Sequence, residues 1–371
     1  MYTTKQYLIH ILLLLITILT ATLAGGEWLF GKSILADGEH ALTWEYFLKS
    51  LHFSIPFIGI LFVHEMGHLL TSIRHKVRSS LPFFIPGWLG FLGAPSIGTF
   101  GAIIHMKSFV NSRRKFFDIG VAGPLAGFIV AIFVLWYGFT HLPDADYIYE
   151  IHPEYLDPEF KGHTEEDGYI TLRLGYNLLF YLMEKGLADP EKMPNMYEVI
   201  HFPYLFAGYL ALFFTALNLL PIGQLDGGHV IFGLFPKHHK TISLVFFTAF
   251  VFYAGLGIIN PFHDINRLLI SIPLYIGFLY IIYRRTSIPN ETKWAIILLI
   301  AAAQYALVYI WPNLDGYTGW LLFAFLLGRV MGLEHPEVTG TREMNGSRKV
   351  LGWLAILIFL ICFTPQPFIF D

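Results

Sequence analysis

Long, nearly uncharged apolar runs recur from one end of this chain to the other, and they constrain its fold more than any other feature. Crossing about 30 Å of hydrocarbon as a helix takes roughly 20 apolar residues, and the backbone must satisfy its own hydrogen bonds on the way. Stretches of this kind lie at 7–24, 50–73, 116–140, 202–235, 241–259, 268–283, 293–311, 319–333 and 350–364. The fold class they predict is an all-α polytopic membrane protein of about nine transmembrane helices. Only 14% of the 371 residues are charged, against roughly 25% in soluble domains, so the membrane region is the body of the molecule. The first run, Tyr7 to Leu23, has the apolar character of a signal peptide, but its place in a chain full of further spans favours a retained first helix. A single cysteine, Cys362, leaves no internal disulfide framework and no thiolate zinc site. The net charge of −3 gives no support for a nucleic-acid partner.

Orientation follows from where Lys and Arg collect in short connections. Basic groups gather at Lys5, at Arg74, Lys76 and Arg78, at Arg113, Arg114 and Lys115, at Lys237 and Lys240, at Arg284 and Arg285, and at Arg342, Arg348 and Lys349. The alternate loops are poor in them, which predicts a cytoplasmic N-terminus and an outer C-terminus; the expected location is a bacterial cytoplasmic membrane. Lys49 and Arg267, at helix ends, are mild exceptions.

Two segments depart from the simple pattern. Residues 79–112 are apolar but interrupted by Pro82, Pro86, Gly87, Gly90, Gly93, Pro95, Gly98 and Gly101, which makes a poor helix. Irregular backbone at membrane depth survives only where protein or a water-filled cavity satisfies it, so a re-entrant loop or β-hairpin is predicted, with a loop on the cytoplasmic surface as the alternative. The loop 142–200 carries thirteen acidic residues against four basic ones. Its stretch Tyr169 to Leu187 has a helical rhythm suited to an interfacial helix, and the loop is read as a solvated connection, with a lid as the alternative.

The chemistry concentrates in His64-Glu65-Met66-Gly67-His68, inside the run from Leu51 to Leu70. Residues four apart share one helix face, so both imidazoles can reach one metal while Glu65 stands beside it to hold a water. Ionisable side chains at membrane depth are costly and point to function. A zinc site with an open catalytic position needs a third protein ligand from elsewhere in the chain. In the fourth span the stretch Asn218-Leu219-Leu220-Pro221-Ile222-Gly223-Gln224-Leu225-Asp226-Gly227-Gly228-His229 is a polar, helix-breaking island. Asp226 is its only acid and would complete a set of two His and one carboxylate, with His229 as the less favoured ligand. Depth agrees: counted from Leu61, His64 and His68 lie about 4.5 and 10 Å toward the basic end of the span, and Asp226 about 16 Å from Lys237.

These residues resemble the site-2 protease family of intramembrane zinc metalloproteases. That family pairs H-E-x-x-H on one span with N-x-x-P-x-x-x-L-D-G on a later one, as HEMGH and NLLPIGQLDGGH stand here. Gly98-Thr99-Phe100-Gly101-Ala102 with Met106-Lys107-Ser108, Phe117-Asp118-Ile119-Gly120, and Val121-Ala122-Gly123-Pro124-Leu125-Ala126-Gly127 resemble the hairpin and third core helix of bacterial and plastid members without a PDZ insert. The resemblance covers about 50–235. It implies one Zn2+ per chain held by His64, His68 and Asp226, with Glu65 as catalytic base. Asn218 and the edge containing Gly98, Thr99, Phe100 and Gly101 would bind substrate, and His105 near that edge would be a hydrogen-bonding residue. The implied division is a first helix and outer loop over 1–49, a catalytic core over 50–235 and C-terminal helices over 236–371. The implied partners are transmembrane protein substrates and the lipid bilayer. A metal-ion or proton transporter using the same His and Asp cluster is the competing reading, and a catalytically dead scaffold a third.

Overall fold

The computed structural model describes residues 3–108, 110–144, 146–157, 172–336, 338 and 343–370. Its described helices are α1 (Thr4–Phe30), α2 (Trp44–Arg74), α3 (Arg113–Thr140), α4 (Tyr147–Ile151), α5 (Leu178–Leu187), α6 (Pro203–Asn218), α7 (Asp226–Leu234), α8 (His239–Ala254), α9 (Ile265–Tyr283), α10 (Asn290–Ile310), α11 (Trp320–Phe325) and α12 (Gly346–Cys362). The strands are β1 (Phe83–Gly87), β2 (Gly98–Ile103), β3 (Leu172–Leu174) and β4 (Phe368–Phe370), in two antiparallel pairs, β1 with β2 and β3 with β4. The chain is a multi-pass, all-α membrane protein: α1, α2, α3, α9 and α10 are each long and apolar enough to cross a bilayer, and α6, α8 and α11 with its π-helical continuation are shorter apolar helices. Every predicted span falls on a described helix. The fourth, 202–235, is divided into α6 and α7 at the Pro and Gly residues that its sequence supplies.

The chain forms two compact units. The first comprises Met1–Val110, Asp118–Asn218 and Trp353–Asp371. Thr3 starts α1 with a capping box completed by Gln6, and Gly31, at φ 61°, ends it. Leu8, Ile11, Leu12, Leu15 and Leu19 leave one side of α1 exposed, as lipid-facing residues must be. The other side meets α2 at small residues: the Thr22 and Ser54 hydroxyls lie 2.7 Å apart, and the Gly25 Cα hydrogens face Phe53. From α2 the packing passes to α6 through the stacked rings of Phe53 and Phe206, 5.2 Å apart. Helix α3 reaches α6 where Gly208 receives Leu135.

Residues 79–112 contain the β-hairpin. Phe83 opposes Ile103 and Gly87 opposes Gly98, with a bulge between Phe84 and Pro86. Helix α1 grips this hairpin. Thr20 Oγ1 donates to the Gly98 carbonyl at 2.7 Å, Trp28 Nε1 to the Ser96 carbonyl at 2.7 Å, and Trp88 Nε1 to Glu27 at 2.9 Å. Of the interfacial helix predicted over 169–187, residues 169–171 lie outside the described ones and 178–187 form α5. Residues 172–174 are instead a strand, because β4 pairs with them: Leu172 opposes Phe370 and Leu174 opposes Phe368.

The second unit comprises Asn111–Phe117 and Leu219–Gly352. Its helices interlock through aromatic and polar contacts. Tyr283 donates to Thr248 at 2.8 Å, the Phe250 and Trp320 rings lie 5.3 Å apart, and buried Gln304 donates to the Phe252 carbonyl at 2.7 Å and to Tyr275 at 3.1 Å. In an apolar surround an unmet amide is expensive, so Gln304 ties α8, α9 and α10 together.

Candidate metal centre

Helix α2 is continuous through the motif, so His64 and His68 fall on one face a single turn apart. Their Nε2 atoms lie 3.1 Å from each other. Two nitrogens each about 2.0–2.1 Å from one tetrahedral zinc ion stand roughly 3.3 Å apart, so the pair has the spacing of two ligands of one ion. The His68 Nδ1–H donates to the Ile119 carbonyl at 2.7 Å. That bond fixes the tautomer and directs the Nε2 lone pair of His68 toward His64, as a hydrogen bond to the far nitrogen does in metal-binding histidines generally. His64 and Glu65 are both buried.

The close approach of α3 makes this possible. A Cβ at Gly67 would stand 2.6 Å from the Ala122 carbonyl oxygen, one at Gly123 would stand 2.1 Å from His68 Nε2, and one at Gly127 would stand 3.1 Å from His64 Cβ. Three glycines therefore let α2 and α3 meet at backbone distance, with both imidazoles lying against α3. At the end of α2, His75 Nε2 meets Asp118 Oδ2 at 2.8 Å, which holds the start of this part of α3 in register. The Asp118 and Ile119 roles were not read from the sequence. The available signal was the Phe117-Asp118-Ile119-Gly120 stretch, whose partners lie some fifty residues upstream in the chain.

Asn218 is the last residue of α6 and is half-buried. In the second unit the polar island does break the helix. Residues 219–225 form turns, Gly223 takes φ 56°, and its N–H donates to Ser243 Oγ at 3.0 Å. Ser243 in turn donates to the Leu333 carbonyl at 2.8 Å. Asp226 is then the first residue of α7. Gly227 and Gly228 lie so close to the carbonyls of Leu219 and Gly223 that no side chain fits. His229, the other candidate ligand, lies with its Nδ1 2.8 Å from His335 Nε2.

On the hairpin, Thr99 is buried and donates to the Ile85 carbonyl at 3.0 Å, while the Gly101 N–H donates back to Thr99 Oγ1 at 3.0 Å. Phe100 projects outward, 64% exposed, and Gly98 and Gly101 take φ 78° and 96°. His105 is exposed, and its backbone exchanges hydrogen bonds with Ser80.

A family model described as Peptidase family M50 matches residues 52–260. The chain is 33% identical over 183 residues to "Probable zinc metalloprotease EGY1, chloroplastic" of Oryza sativa subsp. japonica, covering 48% of this chain and 27% of that protein. It is 29% identical over 247 residues to the protein of the same name in Arabidopsis thaliana, covering 63% of this chain and 40% of the relative. Similarity extends to "Probable zinc metallopeptidase EGY3, chloroplastic" of Arabidopsis thaliana, 26% identical over 193 residues, 52% of this chain and 31% of the relative. The chain thus spans well under half the length of these relatives.

Proposed function

Since the chain belongs to peptidase family M50, we propose that it is an intramembrane zinc metalloendopeptidase that hydrolyses peptide bonds within or beside the membrane spans of other proteins. The observation that carries this reading is the buried imidazole pair, with Nε2 atoms 3.1 Å apart and His68 oriented by the Ile119 carbonyl. Asp226 is assigned as the third ligand and Glu65 as the general base. The transporter reading has no observation in its favour, whereas the relatives' printed names support a zinc peptidase.

Zinc bound by these residues would bring the pKa of a coordinated water toward about 7 and polarise a scissile carbonyl. Glu65, next to His64 and buried with it, takes the proton of the attacking water and returns it to the amine that leaves when the C–N bond breaks. A helical substrate shields its own carbonyls, so it must unwind before attack, and Gly- or Pro-weakened spans are the expected substrates. Asn218 is assigned to hold the unwound backbone, and β2, from Gly98 through Thr99 and Phe100 to Gly101, to pair with it as an added strand. Gly101 has already donated its N–H within β2, so pairing uses the remaining backbone groups, with exposed Phe100 as an apolar contact. The catalytic core is assigned to 50–235. The Lys and Arg distribution supports an N-terminus on the cytoplasmic side; the location is assigned to a bacterial membrane, while the plant relatives carry chloroplastic names.

The test is cleavage of a single-span substrate by Glu65→Gln protein reconstituted in liposomes. Loss of general acid–base catalysis should slow cleavage at least ~100-fold, with bound zinc unchanged. Cleavage at the wild-type rate would end the assignment.

A further inference from the structure

A second convergence of metal-binding side chains lies in the first unit, in the extramembranous segment between α3 and α6. His152 follows α4, and Glu198 caps and His201 ends a single 3-10 turn, Val199–His201, just before α6. One candidate ligand atom from each of the three lies within 4.8 Å of the others. The His152 and His201 Nε2 atoms face each other at 3.2 Å. Glu198 Oε2 lies 3.9 Å from the first and 3.5 Å from the second.

Hydrogen bonds on the far side of each group determine what it offers to the centre. His201 Nδ1 donates to the Leu29 carbonyl at 2.6 Å, and His152 Nδ1 donates to Glu154 Oε1 at 2.9 Å. A neutral imidazole that gives its proton at Nδ1 presents a lone pair at Nε2. Tyr155 donates to Glu198 Oε1 at 2.8 Å, which leaves Glu198 Oε2 buried and without a hydrogen bond among the described residues. Three lone-pair donors therefore point at one spot with no donor between them, an arrangement that costs free energy unless a cation sits there.

We propose that His152, Glu198 and His201 form a second divalent-cation site, of zinc type, that ties together two parts of the segment between α3 and α6 beside the C-terminal end of α1. Two imidazole nitrogens and one carboxylate oxygen match zinc, and the 3.2 Å nitrogen spacing is close to the roughly 3.3 Å of two ligands on a tetrahedral ion. Glu154 and the Leu29 carbonyl take the outer-shell positions that orient ligating histidines. The sequence trace of the site is Glu198-x-x-His201, two potential ligands one turn apart, with the third supplied from 46 positions upstream. The site does not depend on the peptidase assignment.

The competing occupant is a shared proton, with His152 as imidazolium between His201 and the two carboxylates. Metal content separates the two. Full-length protein carrying His64→Ala and His68→Ala, equilibrated with Zn2+ and freed of loose metal, is expected to keep about one zinc per chain by elemental analysis. Adding Glu198→Gln, which preserves shape, or His152→Ala is expected to reduce that to near zero while the helical circular dichroism is retained. No retained zinc in the starting double variant, or retention undiminished by Glu198→Gln and His152→Ala, would overturn the proposal whatever the fate of the peptidase reading.

Discussion

A methyl group at position 123 would stand 2.1 Å from His68 Nε2, with the ring Cε1 and Cδ2 atoms at 2.4 and 2.5 Å. The ring can swing aside, so Gly123→Ala should leave the fold nearly intact and misdirect the lone pair assigned to zinc. Disturbing the shell that orients a ligand costs about 10–100-fold in metal affinity or activity. Zinc titration of Gly123→Ala should show a loss of that size with little change in melting temperature, whereas Gly127→Ala, whose added carbon meets His64 Cβ at 3.1 Å, should be milder. Equal zinc affinity in Gly123→Ala and wild type would show that α3 does not set the imidazole geometry. At this scale the HEMGH motif was readable because helical periodicity alone puts His64 beside His68. The Ile119 carbonyl and Gly123 were not readable as orienting groups, because their relation to His68 exists only after two helices pack.

Gly98 shows the same dependence between elements. It has φ 78°, and a Cβ there would lie 2.3 Å from Ala21 Cα and 2.4 Å from the Thr20 carbonyl oxygen, both backbone atoms that cannot step aside. Gly98→Ala should therefore cost about 2–4 kcal/mol through left-handed strain and overpacking. The visible result would be release of the hairpin from α1, with faster proteolytic cutting between β1 and β2 than elsewhere in the chain. Unchanged resistance there would contradict the packing of β2 on α1. The spans themselves were legible as apolar runs, and the division of the fourth at Pro221 and Gly223 was legible as breaker chemistry. Strand β3 escaped notice because its partner, Phe368–Phe370, lies almost two hundred residues away and neither strand is long enough to declare itself.

In the molecule as a whole, acid should weaken the second unit through one buried histidine. His335 is buried against Phe232 and Phe116, and burial, reinforced by neighbouring His229 and His239, holds its pKa down to about 3. The unfolded chain titrates this group near its ordinary value of about 6.5. Below that pH the unfolded state takes up a proton that the folded state refuses. Stability should thus be flat above about 6.5 and fall toward about 3, by at most about 1.4 kcal/mol per pH unit for this one group. His335→Gln should flatten the melting-temperature profile over that range, and an identical profile would remove His335 as the cause.

The order of residues alone determined that this chain lives in a bilayer, where its apolar spans run, and which side chains are candidates for the chemistry, because hydropathy and helical period are local properties. Which carbonyl turns His68, which glycines admit it, and how His152, Glu198 and His201 come to share one centre were decided by tertiary packing. Those relations join residues tens to hundreds of positions apart, and no local pattern encodes them.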